Sequence, residues 1–168
     1  MKKMPLTLFV TLGAPGSGKS YFAERFCKEY GFVHLRSDEI RKYVFPNPTY
    51  SSSENKQLFH LIDFIAQKFL VAGVSVFYDA NFTKRITRTR QQRVAKKYRA
   101  RYAVLWVQTP ILLAIKRANS RNYHPVDENV VRGLNSEIEL PKNEPVIIIY
   151  GTKSYRIQKL AIQKYFPK

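Results

Sequence analysis

The sequence is poor in cysteine and in acidic residues. Cys27 is its single cysteine, so no disulfide can form within the chain, and a reducing compartment fits this composition best. Its position in a helix-like stretch indicates core packing rather than a reactive thiol. Acidic residues number only 12 against 29 Lys and Arg, which gives a formal net charge of +17. Such an excess of positive charge favours a polyanionic partner or an acidic substrate.

Long apolar runs, internal repeats and low-complexity tracts are missing as well. No run approaches the ~20 apolar residues that are needed to cross a bilayer. Lys2 and Lys3 precede an apolar stretch, as in a weak signal peptide, but that stretch is better interpreted as the first strand. No linker divides the 168 residues, so we predict a single domain over residues 1–168 and a cytoplasmic location.

The most informative stretch begins at Gly13 and fits G-x-x-x-x-G-K-[ST] at every fixed position. A β-favouring run precedes it and a helix-like pattern follows it. In this context glycines let backbone amides approach phosphate oxygens, Lys19 brings positive charge to the β- and γ-phosphates, and the Ser20 hydroxyl can ligate Mg²⁺. We predict that the residues of this phosphate loop bind a nucleoside triphosphate: Gly13, Ala14, Pro15, Gly16, Ser17, Gly18, Lys19 and Ser20.

Strand-like and helix-like stretches alternate along the whole chain. The predicted strands cover residues 6–12, 32–36, 74–78, 102–107 and 146–150. Such alternation predicts an α/β fold. By analogy with nucleotide-binding folds we expect a three-layer phosphate-loop kinase sandwich. Its five-stranded parallel sheet would have the order 2-3-1-4-5, with ligands at the C-terminal ends of the strands and a helical lid at about 110–126.

About half of the positive excess lies in residues 84–101. This basic stretch contains no acidic residue and nine cations: Lys84, Arg85, Arg88, Arg90, Arg93, Lys96, Lys97, Arg99 and Arg101. Without them the net charge would fall from +17 to +8. The pattern is typical either of a solvated helix face or of a contact surface for nucleic acid or another phosphate-rich partner.

Several charged residues follow the predicted strands. Asp38 could cap a helix, or it could accept the proton of an attacking hydroxyl. Arg41, one turn later, could hold an anionic group of the acceptor. Asp79 ends the third strand, where it could hold magnesium or only hydrogen-bond the strand end. Arg117 and Arg121 are four residues apart and share a helix face, either as surface charges or as lid residues that close over the transferring phosphoryl group.

Five segments together resemble the polynucleotide-kinase-like phosphate-loop kinases, a group also labelled AAA-type ATP-binding domains, with zeta toxins as more distant relatives. They are Gly-x-Pro-Gly-x-Gly-Lys-Ser, Arg36-Ser37-Asp38-x-x-Arg41, Tyr50-Ser51, Asp79-Ala80-Asn81-Phe82 and Arg117-x-x-x-Arg121. The resemblance runs from about Leu8 to about Ile149. It implies ATP as phosphoryl donor and Asp38 as general base. It further implies Arg41 as the contact to the acceptor's phosphate, and Arg117 and Arg121 as contacts to the ATP phosphates.

The chain departs from this group in two ways. It has no room for the phosphatase domain that often accompanies polynucleotide kinases. Many relatives end the last strand with an acidic residue, whereas this chain has Ile149-Tyr150-Gly151-Thr152. Because of the second departure, the resemblance implies nothing about the details of the nucleotide-base pocket. No motif in the sequence specifies adenine over guanine.

We therefore predict a magnesium- and ATP-dependent kinase that phosphorylates a hydroxyl, with the 5′-OH of a polynucleotide as the favoured acceptor. The residues predicted to act in catalysis are Lys19, Asp38, Arg117 and Arg121, while Ser20 and Asp79 are predicted at the metal. One alternative is a small-molecule kinase that acts on a metabolite, a nucleoside or an antibiotic. Another is an ATP-gated nucleic-acid-binding module with little turnover.

Overall fold

The computed structural model describes residues 4–120 and 125–166, and its strands and helices alternate as predicted. The strands are β1 (Thr7–Leu12), β2 (Val33–Arg36), β3 (Val76–Asp79), β4 (Arg101–Gln108) and β5 (Val146–Tyr150). The helices are α1 (Lys19–Tyr30), α2 (Ser37–Val44), α3 (Ser52–Val71), α4 (Arg85–Lys97), α5 (Ile111–Asn119), α6 (Glu128–Ser136) and α7 (Tyr155–Tyr165).

The five strands form one sheet in the order β2-β3-β1-β4-β5, and every pair is parallel. This confirms the predicted fold and strand order. Because all strands run the same way, their C-terminal ends share one edge of the sheet, which we call the C-terminal edge. The opposite, N-terminal edge is where α4 ends and β4 begins, at Arg101. The predicted lid, residues 110–126, contains α5 and ends just before α6; residues 121–124 lie outside the described residues.

Alternate side chains of β1 enter two different cores. Leu8, Val10 and Leu12 pack in the core beneath α3 and α4, whereas Phe9 enters an aromatic core with α1 and α7. Cys27 lies in this second core, as predicted, and is 6% exposed. Burial raises the pKa of Cys27 to about 12, so the group remains a protonated thiol near neutral pH.

Helix α3 turns one narrow apolar stripe toward the sheet. Leu58 and Ile62 are fully buried, whereas Leu61 is 37% exposed. The stripe continues through Ala66 and Leu70, so residues four apart face the sheet and Leu61 falls to one side of it. No helix in the described ranges is long and apolar enough to span a membrane.

A buried ion pair ties α4 to the chain that precedes β5. Arg88 is fully buried, and its Nε and Nη2 donate to the Glu144 carboxylate at 2.8 to 3.0 Å. Its Nη1 donates to the carbonyls of Phe82 and Thr83, and its Nη2 also donates to the carbonyl of Glu139. The guanidinium therefore joins three segments. Because it is buried, Arg88 cannot be part of a contact surface for nucleic acid, although it belongs to the basic stretch.

Replacing Arg88 by methionine should destabilise the protein by about 3–5 kcal/mol, because Glu144 is left as a buried charge without its partner. Urea denaturation would measure the free energy of unfolding. Arg93→Met on the exposed side of α4 is the matched control and should change that free energy by at most about 0.5 kcal/mol. Equal, small effects of the two variants would contradict the structural role of the ion pair.

Candidate active site

The phosphate loop connects β1 to α1 at the C-terminal edge of the sheet. Gly13, Gly16 and Gly18 all have positive φ angles, of 142°, 79° and 103°. Gly16 has no room for a side chain either, since an added Cβ would lie 2.0 Å from the carbonyl oxygen of Ala114 in α5. The glycines of the motif are thus required by backbone conformation and, at Gly16, by the close approach of a neighbouring helix.

The first turn of α1 is left open to an anion. The residue at its N-cap is Gly18, which offers no side-chain cap, and the first turn contains no acidic residue. The unpaired amides and the positive end of the helix dipole therefore face the loop without an internal counter-charge. Lys19 reaches back across the loop, with its Nζ donating to the carbonyls of Gly13 at 2.8 Å and Ala14 at 3.0 Å. This geometry holds its charge at the mouth of the loop.

The structure brings the two predicted magnesium residues together. Asp79, at the end of β3, is 6% exposed, and the Ser20 side chain is near enough to help lower the pKa of its carboxyl group. Burial alone would raise the pKa of Asp79, but hydrogen bonds from His34 and Ser20 and the charge of Lys19 outweigh burial and hold the pKa below its usual value. Asp79 is therefore an anion in a buried, electropositive setting.

His34 is a site residue that the sequence reasoning missed. Its Nε2 lies 3.2 Å from Oδ2 of Asp79. The register pairs Arg36 with Asp79 and His34 with Phe77, so His34 and Asp79 are diagonal neighbours on one face of the sheet. The strand order, once known, would have suggested this contact, because residues two apart in β2 share a face.

One carboxylate and one hydroxyl suit magnesium that is carried by a triphosphate. Mg²⁺ usually binds one or two carboxylates, several waters and the phosphate oxygens of the substrate rather than a cage of protein ligands. Within the described residues there is no group of three or more His, Cys, Asp or Glu side chains that could hold a metal by themselves. Ser20 and Asp79 therefore fit a shared metal–triphosphate site.

Asp38 is the second residue of α2, immediately beyond β2. It does not cap this helix: the N-cap residue is Arg36 and no side chain makes a capping hydrogen bond. The Asp38 side chain is exposed and has no hydrogen bond or ion pair with another described residue. Since Arg36 is in register with Asp79, Asp38 lies at the same edge of the sheet as the phosphate loop.

Arg41 lies in a different setting from the predicted one. It is 5% exposed, with Nη1 paired to the Glu54 carboxylate and Nη2 donating to Asn55 Oδ1 at 2.5 Å. The Glu54 carboxylate also accepts hydrogen bonds from the backbone amides of Thr49 and Tyr50. This buried ion pair fastens α2 to the start of α3. Binding of an acceptor phosphate by Arg41 stays a prediction, and it requires a phosphate to share or displace these partners.

Arg117 is exposed on α5, and its Nη1 donates to the carbonyl of Gly151 at 2.9 Å. Gly151 is a second residue that the sequence reasoning did not identify as part of the site. A Cβ at this position would lie 2.0 Å from the carbonyl oxygen of Ser17 and 2.2 Å from Thr109 Oγ1. The turn after β5 therefore packs directly on the phosphate loop. Arg121, the other predicted lid arginine, lies outside the described residues.

The basic stretch divides into a paired and an unpaired half. Its first four cations all face carboxylates, in the pairs Lys84–Glu137, Arg85–Glu139, Arg88–Glu144 and Arg90–Asp63. The other five are exposed and form no ion pair within the described part of the chain: Arg93, Lys96, Lys97, Arg99 and Arg101. These five cations lie toward the N-terminal edge of the sheet, away from the phosphate loop.

Comparison with known proteins agrees with this geometry. The family model described as an AAA domain matches residues 8–141. A sugar kinase from Janibacter sp. HTCC2649 is 16% identical, with a TM-score of 0.72, over 96% of this chain and 95% of that one. The Mycobacterium tuberculosis APS kinase CysC, in complex with AMPPNP and APS, is 19% identical, with a TM-score of 0.70, over 96% of each chain.

A chain of the Pnkp1/Rnl/Hen1 RNA repair complex is 20% identical, with a TM-score of 0.70. The match covers 80% of this chain and 44% of that one. At such identities the likeness establishes a shared fold, which is that of the phosphate-loop kinases.

Replacing Gly151 by alanine should weaken nucleotide binding at least about tenfold, because the added methyl group must push the β5–α7 turn off Ser17 and disturb the loop that holds the phosphates. Calorimetric titration with ATP and Mg²⁺ measures the affinity. Gly133→Ala is the matched control, since a Cβ there meets nothing within 4 Å. Unchanged ATP affinity in Gly151→Ala would show that this contact does not support the loop.

Proposed function

This chain belongs to the AAA domain family, and we propose that it is a kinase that transfers the γ-phosphoryl group of ATP to a hydroxyl group. The observation that carries the proposal is the exposed Asp38 carboxylate, which has no partner among the described residues and lies at the edge that holds the phosphate loop. A carboxylate with only a structural role would be expected to cap α2 or to pair with a cation. Asp38 does neither, so it is available to a substrate.

Each residue then has a defined part in the reaction. The loop amides and Lys19 bind the phosphates, and Arg117 contacts the donor from α5. Ser20 and Asp79 hold magnesium, which when bound neutralises charge on the β- and γ-phosphates. The acceptor oxygen bonds to the γ-phosphorus as the bond to the β–γ bridging oxygen breaks. ADP leaves with that electron pair, and the proton of the hydroxyl moves to Asp38.

A polynucleotide 5′-OH is the acceptor that we favour, and the charge distribution supports it. The net charge is +17, and five exposed cations of the basic stretch have no carboxylate partner in the described chain. Phosphate backbones are the usual partners of such surfaces. Arg101, at the N-terminal edge, is in register with Thr7, which is six residues, or about 20 Å at ~3.3 Å per residue, before Gly13. A strand rising ~3.4 Å per nucleotide would need about six nucleotides to reach it.

A small-molecule acceptor is the second candidate. The sugar kinase and the APS kinase each match this chain over at least 95% of their own length, whereas the RNA repair chain is matched over 44%. A chain of this length therefore matches nearly the whole of two kinases named for small-molecule substrates. The third candidate, an ATP-gated nucleic-acid-binding module, shares the site but not the turnover.

Asp38→Asn should lower the rate of phosphoryl transfer by about 10²–10⁴-fold, because the amide cannot accept the hydroxyl proton. ATP affinity should stay the same, since the loop is untouched. Glu39→Gln, the neighbouring exposed carboxylate, is the matched control and should transfer phosphate at the parent rate. Single-turnover transfer of γ-labelled phosphate measures both variants. A parent rate in Asp38→Asn would rule out the general-base assignment and favour the binding module.

The acceptor can be identified by incubating the protein with γ-labelled ATP and Mg²⁺ against 5′-OH DNA, 5′-OH RNA and a panel of sugars, nucleosides and antibiotics. We expect label on polynucleotides, with affinity that rises between two and about ten nucleotides and falls steeply with salt. Lys97→Glu/Arg101→Glu should weaken binding of the long acceptor and reduce its salt slope. Arg25→Glu/Lys28→Glu, on α1, is the matched control. Salt-insensitive labelling of a small alcohol alone would favour the second candidate.

A further inference from the structure

A cavity of about 240 Å³ lies beside the phosphate loop and has no role in the reaction described so far. Its walls are the loop residues Gly13, Ala14 and Ser17, residues 106–109 at and just after the end of β4, and Asn135, Ile138 and Leu140. This volume lies just below the ~300–1,000 Å³ that is typical of sites for drug-sized ligands. The cavity therefore suits one ring system rather than a whole nucleotide.

The chemistry of the walls is neutral. No Lys, Arg, His, Asp or Glu lines the cavity, although the chain carries 29 Lys and Arg. A sugar acid, a sulfate ester or a phosphate would find no cationic side chain in these walls to offset its lost hydration. The polar groups present are side-chain amides, hydroxyls and an indole, which are suited to a neutral ligand with both donors and acceptors.

Several of these polar groups have no partner. The half-buried Trp106 indole and Gln108 amide and the exposed Asn135 amide make no hydrogen bond to another described residue, so they are open to a ligand that enters the cavity. The Ser17 side chain is 2% exposed, and its hydroxyl is buried without a partner. Buried polar groups are almost always satisfied by protein, water or ligand. An aromatic ring and partly open amides along one cavity fit a planar heteroaromatic ring, which stacks on the indole and pairs with the amides.

The cavity is also within reach of the proposed base. Between the wall residues Ile138 and Leu140, the backbone amide of Glu139 donates to the carbonyl of Thr83 at 3.0 Å, so this wall is tied to the turn that follows β3. The loop at the end of β1 forms the opposite wall. Asp38 follows β2, which is two strand spacings, or about 10 Å, from the wall at β1 and three, or about 14 Å, from the strand that carries Trp106. A nucleoside and the Asp38 side chain together span such a distance.

We propose that this cavity binds the nucleobase of the acceptor, stacked on Trp106 and hydrogen-bonded by Gln108 and Asn135, while the acceptor's hydroxyl reaches toward Asp38. This proposal rests on the proposed function, because it names the acceptor as a nucleoside or a polynucleotide end. It excludes sugar acids and sulfate esters as the group held in this cavity.

Trp106 is the single tryptophan of the chain, so tryptophan fluorescence reports on this wall of the cavity. The protein would be titrated with adenosine, guanosine, cytidine and thymidine, each with and without saturating ATP and Mg²⁺, and with ribose and gluconate as ring-free ligands. We expect saturable quenching by nucleosides in the presence of ATP, and none by the ring-free ligands. Quenching by ATP alone, loss of nucleoside quenching when ATP is saturating, equal quenching by ribose, or no quenching would each overturn the proposal.

Variants provide a second readout. Gln108→Ala and Asn135→Ala should each raise the KM for a 5′-OH acceptor about tenfold, as expected for one lost hydrogen bond, and leave kcat and the KM for ATP unchanged. Gln57→Ala, an exposed amide on α3, is the matched control. Unchanged acceptor KM in both cavity variants would contradict the proposal.

Failure of this proposal can be told apart from failure of the proposed function. Phosphate transfer to 5′-OH ends without a change in Trp106 fluorescence would remove the cavity and keep the kinase. Nucleoside quenching without transfer to any acceptor would keep the cavity and remove the kinase.

Discussion

The close approach of neighbouring backbone to the phosphate loop is the constraint on which the site depends. Gly16 lies against Ala114 of α5, and Gly151 lies against Ser17, both at distances that leave no room for a Cβ. The Thr109 hydroxyl adds a hydrogen bond to the carbonyl of Ser17 at 2.9 Å. Contacts from α5, β4 and the β5–α7 turn thus hold the loop from outside. A loop held in this way presents its amides without reorganisation when an anion binds.

Electrostatics divides the protein into two regions. At the C-terminal edge of the sheet, cations have specific partners: Lys19 binds loop carbonyls, Arg41 pairs with Glu54 and Arg88 pairs with Glu144. Asp79 is held as an anion among His34, Ser20 and Lys19. Toward the N-terminal edge, the last five cations of the basic stretch are exposed and have no acidic partner in the described chain. Lys19, Arg41 and Arg88 are therefore held in place by their partners, whereas these five cations remain open to an external anion.

Local patterns predicted the fold and the phosphate loop well, because both depend on short-range sequence. The loop motif and each strand-like or helix-like stretch are readable within a few residues. Contacts between distant segments were not readable. Nothing near Arg88 in the sequence indicates that Glu144 will pair with it, and nothing near His34 indicates Asp79.

The role of Arg41 illustrates the same limit. Its spacing from Asp38 predicted a shared pocket, but burial against Glu54 and Asn55 depends on how α2 meets α3. Gly151 likewise lies 134 residues from Ser17 in the sequence and touches it in the fold. Sequence patterns identify which chemistry is present, whereas the packing of distant segments decides which groups remain open to a ligand.

The most direct test of the account is a crystal structure of the protein with magnesium and a non-hydrolysable ATP analogue. We expect the triphosphate in the loop, the metal between Ser20, Asp79 and the phosphate oxygens, and the Asp38 carboxylate facing the γ-phosphorus from the side opposite the β–γ bridging atom. A triphosphate bound in the loop with Asp38 directed into solvent, away from the γ-phosphorus, would contradict phosphoryl transfer by this residue.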